Sequence, residues 1–157
     1  MQYLFKKKEG EYKEYYRNRQ LKVIYYYIDN ELNGECKDYY ENKQLYTICY
    51  YKNGKKEGEY KRYHRNGKLL SICNYKNNNK NGKYKIYYDN GRLREIYNYV
   101  NGKLNGKYNY YNMNGEIIAE YYYKDNKKIN ECQKYINSNK NNFLIFISCI
   151  IFLFVFL

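Results

Sequence analysis

The stretch GKYKIYYDNGRLREIYNYVNGKLN, residues 82–105, decides the fold, because the same pattern starts again at Gly106. We count positions within this unit from its first glycine, which is unit position 0. Such a glycine recurs at residues 10, 34, 58, 82 and 106, so the period is 24 residues without an insertion. A fixed period of this length is the signature of a repeat protein whose units pack on their neighbours. The sequence therefore predicts an array of about five units, with partial units at both ends.

Turn signals divide each unit into two strands. All ten glycines fall at unit positions 0, 9 or 20, and those at positions 9 and 20 each follow an asparagine. Asn-Gly predicts a tight hairpin turn, because both residues tolerate positive φ. The segments between the turns are rich in Tyr, Ile and Leu, which suit a pleated surface. We therefore predict an all-β, elongated, single-layer antiparallel meander of about ten strands, roughly 48 Å long at about 4.8 Å per strand.

A two-residue first turn would fix the strand register, because unit positions that sum to 17 would then face each other. Each repeat glycine would lie opposite a tyrosine, Tyr12 opposite Tyr25, and Tyr16 opposite Leu21. One face would be aromatic and aliphatic and would form the core. The other would carry lysine at unit position 3 beside isoleucine at position 14. The second turn keeps the same alternation, so both faces should continue along the array.

The net charge of +13 favours anionic partners such as lipid headgroups, nucleic acid or acidic proteins. Most of the excess lies in residues 58–157, and a purely solubilising surface would explain it equally well. The candidate basic face for a lipid or a partner contains Lys13, Lys37, Lys61, Lys85, Arg62, Arg65 and Lys83.

The units GEYKRYHRNGKLLSICNYKNNNKNG (residues 58–82) and GKYKIYYDNGRLREIYNYVNGKLNG (residues 82–106) resemble the MORN repeat in its variant form. The resemblance extends from residue 3 to about residue 135. It implies a string of β-hairpins in an elongated, twisted sheet that is not itself catalytic. It further implies scaffolding between proteins and, in some members, attachment to membranes or anionic lipids. Some bacterial relatives are labelled as antitoxin components, and no family binding residue transfers to this chain.

A separate apolar run, FLIFISCIIFLFVFL, occupies residues 143–157 and follows a polar linker at residues 136–142. A helix of this length would span about 22 Å, which is short for a bilayer core of about 30 Å. We interpret it as a C-terminal transmembrane tail anchor, with the basic flank and the repeat domain, residues 1–135, on the cytosolic side. The alternative is a final strand or helix packed on the aromatic face. The N-terminal residues show no apolar core of a secretory signal.

Residues for covalent chemistry are sparse. His64, the sole histidine, stands where three other units have tyrosine, so we interpret it as an aromatic substitute. Cys36 and Cys49 should face each other across one hairpin, so a bridge is geometrically possible, whereas Cys49 and Cys73 should lie about 9.6 Å apart, too far for one. In a cytosol the thiols would stay reduced and serve as small apolar filler. Without a CxxC pair, a zinc site is not expected.

These observations predict a non-enzymatic scaffold with no catalytic residue, cofactor, metal or small-molecule substrate. Its partners would be a protein and an anionic membrane surface, and its position would be membrane-associated. Two alternatives stay open: an antitoxin-like inhibitor of a partner toxin, and a basic aromatic sheet that binds nucleic acid. Against nucleic acid, the sheet itself needs many of the tyrosines, and the tail would hold the protein at a membrane.

Overall fold

The computed structural model of the protein describes residues 7–130, which form one open antiparallel meander sheet without a helix. Its strands follow one another across the sheet in chain order. This confirms the predicted all-β meander and its repeat architecture. No helix able to cross a membrane occurs in this part of the chain. The predicted linker and tail anchor lie outside the described residues.

The sheet consists of five hairpins, and each hairpin contains two long strands. The long strands are β1 (Gly10–Tyr15), β2 (Leu21–Ile28), β4 (Gly34–Tyr39), β5 (Leu45–Lys52), β7 (Gly58–Tyr63), β8 (Leu69–Lys76), β10 (Gly82–Tyr87), β11 (Leu93–Val100), β13 (Gly106–Tyr111) and β14 (Ile117–Lys124). The short strands are β3 (Glu31–Leu32), β6 (Lys55–Lys56), β9 (Asn79–Lys80), β12 (Lys103–Leu104) and β15 (Lys127–Asn130). Strand β15 pairs with β14 and begins a sixth unit.

The predicted register is confirmed along most of each hairpin. Gly10 lies opposite Tyr27, and Tyr12 lies opposite Tyr25. Lys13 lies opposite Ile24, as the predicted lysine face requires. The other four hairpins repeat these pairings at the same unit positions. Alternate residues of a strand point to opposite sides, so the pairing defines an aromatic face and a lysine face.

The predicted pairing at the hairpin tip is wrong. Tyr15, not Tyr16, lies opposite Leu21, because the register shifts by one residue between Glu14 and Tyr15. The same shift occurs in the other four hairpins. It places one extra residue, at unit position 12, in the second strand as a β-bulge. The first turn is therefore longer than the two-residue loop that Asn-Gly suggested.

Hydrogen bonds explain the shape of this first turn. Arg19 N–H donates to Tyr16 O and Tyr16 N–H donates to Gln20 O, both at 2.9 Å. Only unit position 9 adopts positive φ, as in Arg19 with φ of 65°. The preceding Asn18 instead accepts the Gln20 N–H at its Oδ1, over 3.0 Å. Asparagine thus serves the turn through its side chain, which is a common role in bulged turns. We call this side of the sheet the bulge-turn edge.

The second turn is the predicted two-residue hairpin. Asp29 and Asn30 both have positive φ, 52° and 67°, and Ile28 lies opposite Glu31 across them. This is the type I′ conformation that twists with the flanking strands. Further from the turn, Val23 lies opposite Asp38. Between these two pairs, the chain after the turn contains two more residues than the strand before it. Two residues preserve the alternation of side chains, and both faces continue into the next unit as predicted.

Successive units are hydrogen-bonded at both edges of the sheet. The opposite edge carries the second turns, and we call it the type I′ edge. There each turn donates one backbone N–H to the carbonyl of the residue that lies two positions before the first glycine of its own unit. These bonds are Asn30 N to Lys8 O, Gly54 N to Leu32 O, Asn78 N to Lys56 O, Gly102 N to Lys80 O and Asn126 N to Leu104 O. At the bulge-turn edge, the tyrosine hydroxyl at position 6 donates to the next unit. These bonds are Tyr16 Oη to Tyr39 O, Tyr40 Oη to Tyr63 O and Tyr88 Oη to Tyr111 O.

The aromatic face forms the core, but its most buried positions hold mainly small residues. The buried side chains are Val23, Thr47, Ser71, Cys49, Cys73 and Tyr84. The first three share unit position 13, and both cysteines share position 15. The leucines at position 11 are only half-buried. The described residues form a single sheet, so neighbours on the sheet itself bury these small side chains, as Tyr84 does where its hydroxyl contacts Ser71.

Tyrosine rings contact one another along the aromatic face. Tyr84 and Tyr97 stack with ring centroids 5.0 Å apart, and Tyr97 and Tyr108 continue the stack at 5.4 Å. Lys80 Nζ lies 4.5 Å from the centroid of Tyr84 and 5.1 Å from that of Tyr99. Such geometry is a cation–π contact. Lysines of the short strands therefore cover the rings, a role that the sequence analysis did not assign to them.

We expect the protein to lose stability in alkali. Burial raises the pKa of Tyr51 from 10.0 to about 12, and burial also raises the pKa of Tyr60 and Tyr97. The unfolded chain would ionise these phenols first, so their contribution is complete below pH 10 and is lost as pH rises through about 12. Urea unfolding followed by circular dichroism at increasing pH measures this loss. Tyr51→Phe should flatten the pH dependence, and an unchanged slope would contradict the assignment.

Candidate interaction site

The lysine face carries a row of four lysines from the predicted site. Lys13, Lys37, Lys61 and Lys85 lie in strands β1, β4, β7 and β10, each opposite an isoleucine. The structure therefore brings these four residues onto one surface. Exposed lysines at unit position 18 border that surface at the type I′ edge. They are Lys52, Lys76 and Lys124.

In the first three units, a glutamate two residues earlier on the same strand pairs with the row lysine. The pairs are Glu11–Lys13, Glu35–Lys37 and Glu59–Lys61. Residues two apart on a strand share a face, so the pairing follows from the local sequence. The hydrogen bond to Glu11 raises the pKa of Lys13, and the same contact lowers the pKa of Glu11. The charge of the row lysine in each of these three units is therefore compensated.

Unit four differs because Lys83 stands where the first three units have glutamate. Neither Lys83 nor Lys85 makes an ion pair within residues 7–130. In unit five, Lys107 holds the same position as Lys83, and its Nζ lies 2.8 Å from Glu120 Oε2. A cavity of about 240 Å³ beside strands β10, β11 and β13 is lined in part by Lys83, Asn98, Lys107 and Asn109. We call Lys83 and Lys85 the unit-four lysine pair.

Arg62 and Arg65 lie apart from the lysines with which the sequence grouped them. Arg62 lies opposite Ser71, at a position on the aromatic face. Its Nη2 donates to Tyr46 Oη over 2.8 Å. Arg65 lies in the first turn of unit three, with its guanidinium 5.4 Å from the ring centroid of Tyr40. The seven predicted residues therefore occupy two surfaces, five lysines on one and two arginines on the other.

His64 occupies the same unit position as the tyrosines that join successive units. Its Nε2 lies 3.0 Å from Asp89 Oδ1 of the next unit. The equivalent Tyr40 hydroxyl donates instead to a backbone carbonyl. His64 thus stands in the aromatic column and contacts the next unit through a different partner. A cavity of about 370 Å³ beside it is lined in part by Tyr88, Asp89, Arg94 and Met113.

The three cysteines of the described chain, Cys36, Cys49 and Cys73, line up on the aromatic face. Cys36 lies directly opposite Cys49, as predicted, and both thiols are free. The hydrogen bond to Cys49, together with burial, raises the pKa of Cys36. Burial raises the pKa of Cys73 to about 11. In the described part of the chain, no three His, Cys, Asp or Glu side chains converge in a metal-binding group.

The decisive comparison is with protein-family models. The model described as MORN repeat variant matches residues 8–29, 32–53, 56–77 and 80–101. This chain belongs to the MORN repeat variant family. MORN repeats are generally protein- or lipid-interaction repeats, which is compatible with the charged and aromatic surfaces described above. The fifth MORN hairpin, β13 and β14, lies beyond the matched residues and keeps the same strand pairing.

Two solved structures that are similar to this MORN protein belong to much longer chains, of which it spans about a fifth or less. One is accessory secretory protein 1,2 and 3 in Streptococcus pneumoniae, with 23% identity, a TM-score of 0.36 and coverage of 57% of this chain and 17% of that one. Another is a mutant of S. aureus TarM in complex with Fondaparinux, alpha-GlcNAc-glycerol and UDP. It shows 11% identity, a TM-score of 0.41 and coverage of 62% of this chain and 20% of that one. The comparison with curated proteins gave no match.

Proposed function

We propose that this MORN protein is a non-enzymatic scaffold that holds a protein partner at a membrane. In this proposal, residues 143–157 anchor the chain and the lysine face contacts anionic lipid. The observation that supports lipid contact is the unit-four lysine pair. Lys83 and Lys85 have no carboxylate partner in the described chain, whereas the equivalent lysines of the first three units each have a glutamate.

Electrostatics explains why only lysines without a glutamate partner should attract an anionic membrane. A basic residue near an anionic membrane contributes about 1 kcal/mol of attraction. A lysine that already faces a glutamate brings an equal negative charge to the surface, so its net contribution is small. The unit-four lysine pair and the bordering Lys52, Lys76 and Lys124 would therefore supply most of the attraction from this face.

The array suits a scaffold because neighbouring units support one another. Hydrogen bonds join successive turns at both edges, so the surfaces of different units keep a fixed spacing. The two alternatives have less support. The tyrosine rings contact one another and the lysines above them, which leaves few free faces on which nucleic-acid bases could stack. No observation favours an inhibitor of a toxin.

Membrane fractionation tests the proposal. We expect the full chain to resist both high salt and alkaline extraction, because the tail would hold it in the bilayer. A chain that ends at residue 142 should bind membranes in low salt only. Lys83→Gln with Lys85→Gln should weaken that low-salt binding, since it removes two of the uncompensated charges. Lys43→Gln with Lys68→Gln, two exposed lysines in the first turns, is the control with the same charge change.

Each arm of this experiment can contradict one part of the proposal. A full chain that alkali extracts would show that residues 143–157 do not anchor it. A truncated chain that never sediments with membranes would exclude lipid contact by the sheet. Equal loss of binding in the control would show that net charge, and not the unit-four lysine pair, is responsible.

A further inference from the structure

We infer that Arg62 and Arg65, each held on a tyrosine ring, form a binding site for carboxylate side chains of an acidic segment in a protein partner. The inference rests on the proposed function in one respect, which is that the ligand belongs to a protein. It assigns to the aromatic face a binding role separate from that of the lysine face.

Four side chains of units two and three build this site. The Arg62 guanidinium lies 5.3 Å from the ring centroid of Tyr46, and the Arg65 guanidinium lies 5.4 Å from that of Tyr40. The two rings are 4.8 Å apart, so they form one support for both arginines. We call these residues the arginine–tyrosine cluster. Aromatic stacking fixes the planes of the guanidinium groups and lowers the entropy lost when they bind a ligand.

The cluster lacks a negative charge of its own. Within residues 7–130, neither Arg62 nor Arg65 forms an ion pair with a carboxylate. Arg62 Nε is buried and has no hydrogen-bond partner. Asp38, on the same face, instead accepts a hydrogen bond from Thr47. A buried cationic group without a carboxylate partner is costly, so the Arg62 guanidinium keeps an uncompensated charge that a carboxylate of a ligand beside it would stabilise.

The repeat supplies an internal comparison. Arg94 of unit four also lies over a tyrosine, 6.0 Å from the ring centroid of Tyr88. Its Nε, however, donates to Glu95 Oε1 over 2.9 Å. Glu95 stands at unit position 13, where unit two has Thr47 beside Arg62. Arg94 therefore has a carboxylate partner within the chain, whereas Arg62 has none. We interpret Arg94 as part of a structural ion pair and Arg62 as a group that binds a partner.

Geometry favours an acidic protein segment over lipid as the source of the anion. Guanidinium groups bind carboxylates through two parallel hydrogen bonds, and two neighbouring arginines can engage two acidic side chains. Arg65 is exposed in a turn at the bulge-turn edge, where an extended segment of another protein can approach. The lysine face, which we propose meets the membrane, lies on the other side of the sheet.

A labelled oligoglutamate peptide is the probe, and fluorescence anisotropy with the full chain is the measurement. We expect binding that oligoglutamine does not show. Arg62→Gln with Arg65→Gln should weaken it at least about tenfold, the effect of losing one charge-assisted hydrogen bond. Arg62→Lys with Arg65→Lys should weaken it less, because charge is kept and the fork geometry is lost. Lys55→Gln with Lys103→Gln, two exposed lysines at the type I′ edge, should bind as the parent does.

Several outcomes would overturn the inference. Equal affinity of the parent and the double Gln variant would show that the cluster does not bind the peptide. Equal weakening in the Lys55 and Lys103 control would assign binding to net charge alone. If the double Gln variant instead loses sedimentation with phosphatidylserine vesicles and keeps peptide affinity, the anion is a lipid headgroup. Arg65→Gln alone keeps the test valid if Arg62 proves necessary for folding.

The experiments distinguish failure of the lysine-face proposal from failure of the arginine–tyrosine cluster. Loss of peptide binding in the arginine variants with normal membrane fractionation supports the cluster and leaves the lysine face untouched. Normal peptide binding in the arginine variants, with loss of membrane binding in the Lys83 and Lys85 variant, supports the lysine face and excludes the cluster.

Discussion

Tyr84→Ala should lower the free energy of unfolding by about 3–5 kcal/mol, the range for removing a buried aromatic ring. Tyr84 is the most buried tyrosine of the described chain, with 8% of its surface exposed. Its ring stacks on Tyr97 at 5.0 Å and contacts Tyr99 edge-on at 6.2 Å. Since the sheet has one layer, no second sheet can move in to fill the space. The urea midpoint, followed by circular dichroism, measures the loss.

Tyr15→Ala is the matched control, because Tyr15 is 56% exposed. It should change stability by less than about 1 kcal/mol, as surface substitutions do. Tyr84→Phe keeps the ring and loses a hydroxyl that donates to Ser71 over 3.3 Å, so its effect should be small. If both alanine variants unfold at the same urea concentration, the aromatic face is not the core.

Gly58→Val should cost about 2 kcal/mol, because an L residue in the left-handed region is strained and a β-branched one more so. Gly58 has φ of 80°. A Cβ built at this glycine would meet no atom within 4 Å, so the expected loss comes from the backbone and not from a clash. The urea midpoint of the variant measures it.

Gly54→Asn is the control, and the chain itself shows why it should be harmless. Gly54 stands in a type I′ turn with φ of 70°. The same position holds Asn30, Asn78 and Asn126, with φ between 67° and 69°. Asparagine tolerates this region, so stability should hardly change. A loss as large as that of Gly58→Val would mean that glycine is needed at both positions for another reason.

The strand pairing was predictable because it depends on local chemistry that recurs in every unit. Tyr12 opposite Tyr25 and Lys13 opposite Ile24 follow from the alternation of side chains and the position of the turns. The first turn was not predictable from Asn-Gly, since that dipeptide suits both a two-residue loop and a bulged one. The available signal for a bulged turn was that unit position 9 holds Arg19 and Lys43 in the first two units, where glycine is absent. Only the asparagine before them is constant, which indicates a side-chain role in the turn.

Part of the candidate site could be predicted from the sequence. Glutamate and lysine two residues apart in a strand share a face, so the change from GEYK in unit three to GKYK in unit four already marks Lys83 as unpaired. The face of Arg62 also follows from alternation, because its neighbour Lys61 lies on the lysine face, but the partner of Arg62 could not be predicted. Its contact with Tyr46 depends on the bulge, because Tyr46 is itself the bulge residue at unit position 12, and simple alternation would assign it to the lysine face.

The meander also determines how the molecule responds to mechanical load. Its strands run across the long axis of the array, so the hydrogen bonds between them run along that axis. Tension applied between the two ends would peel the first loaded strand away from its neighbour bond by bond, and would not shear many bonds at once. Extension should therefore proceed hairpin by hairpin at low force, with each released unit adding the same length of chain.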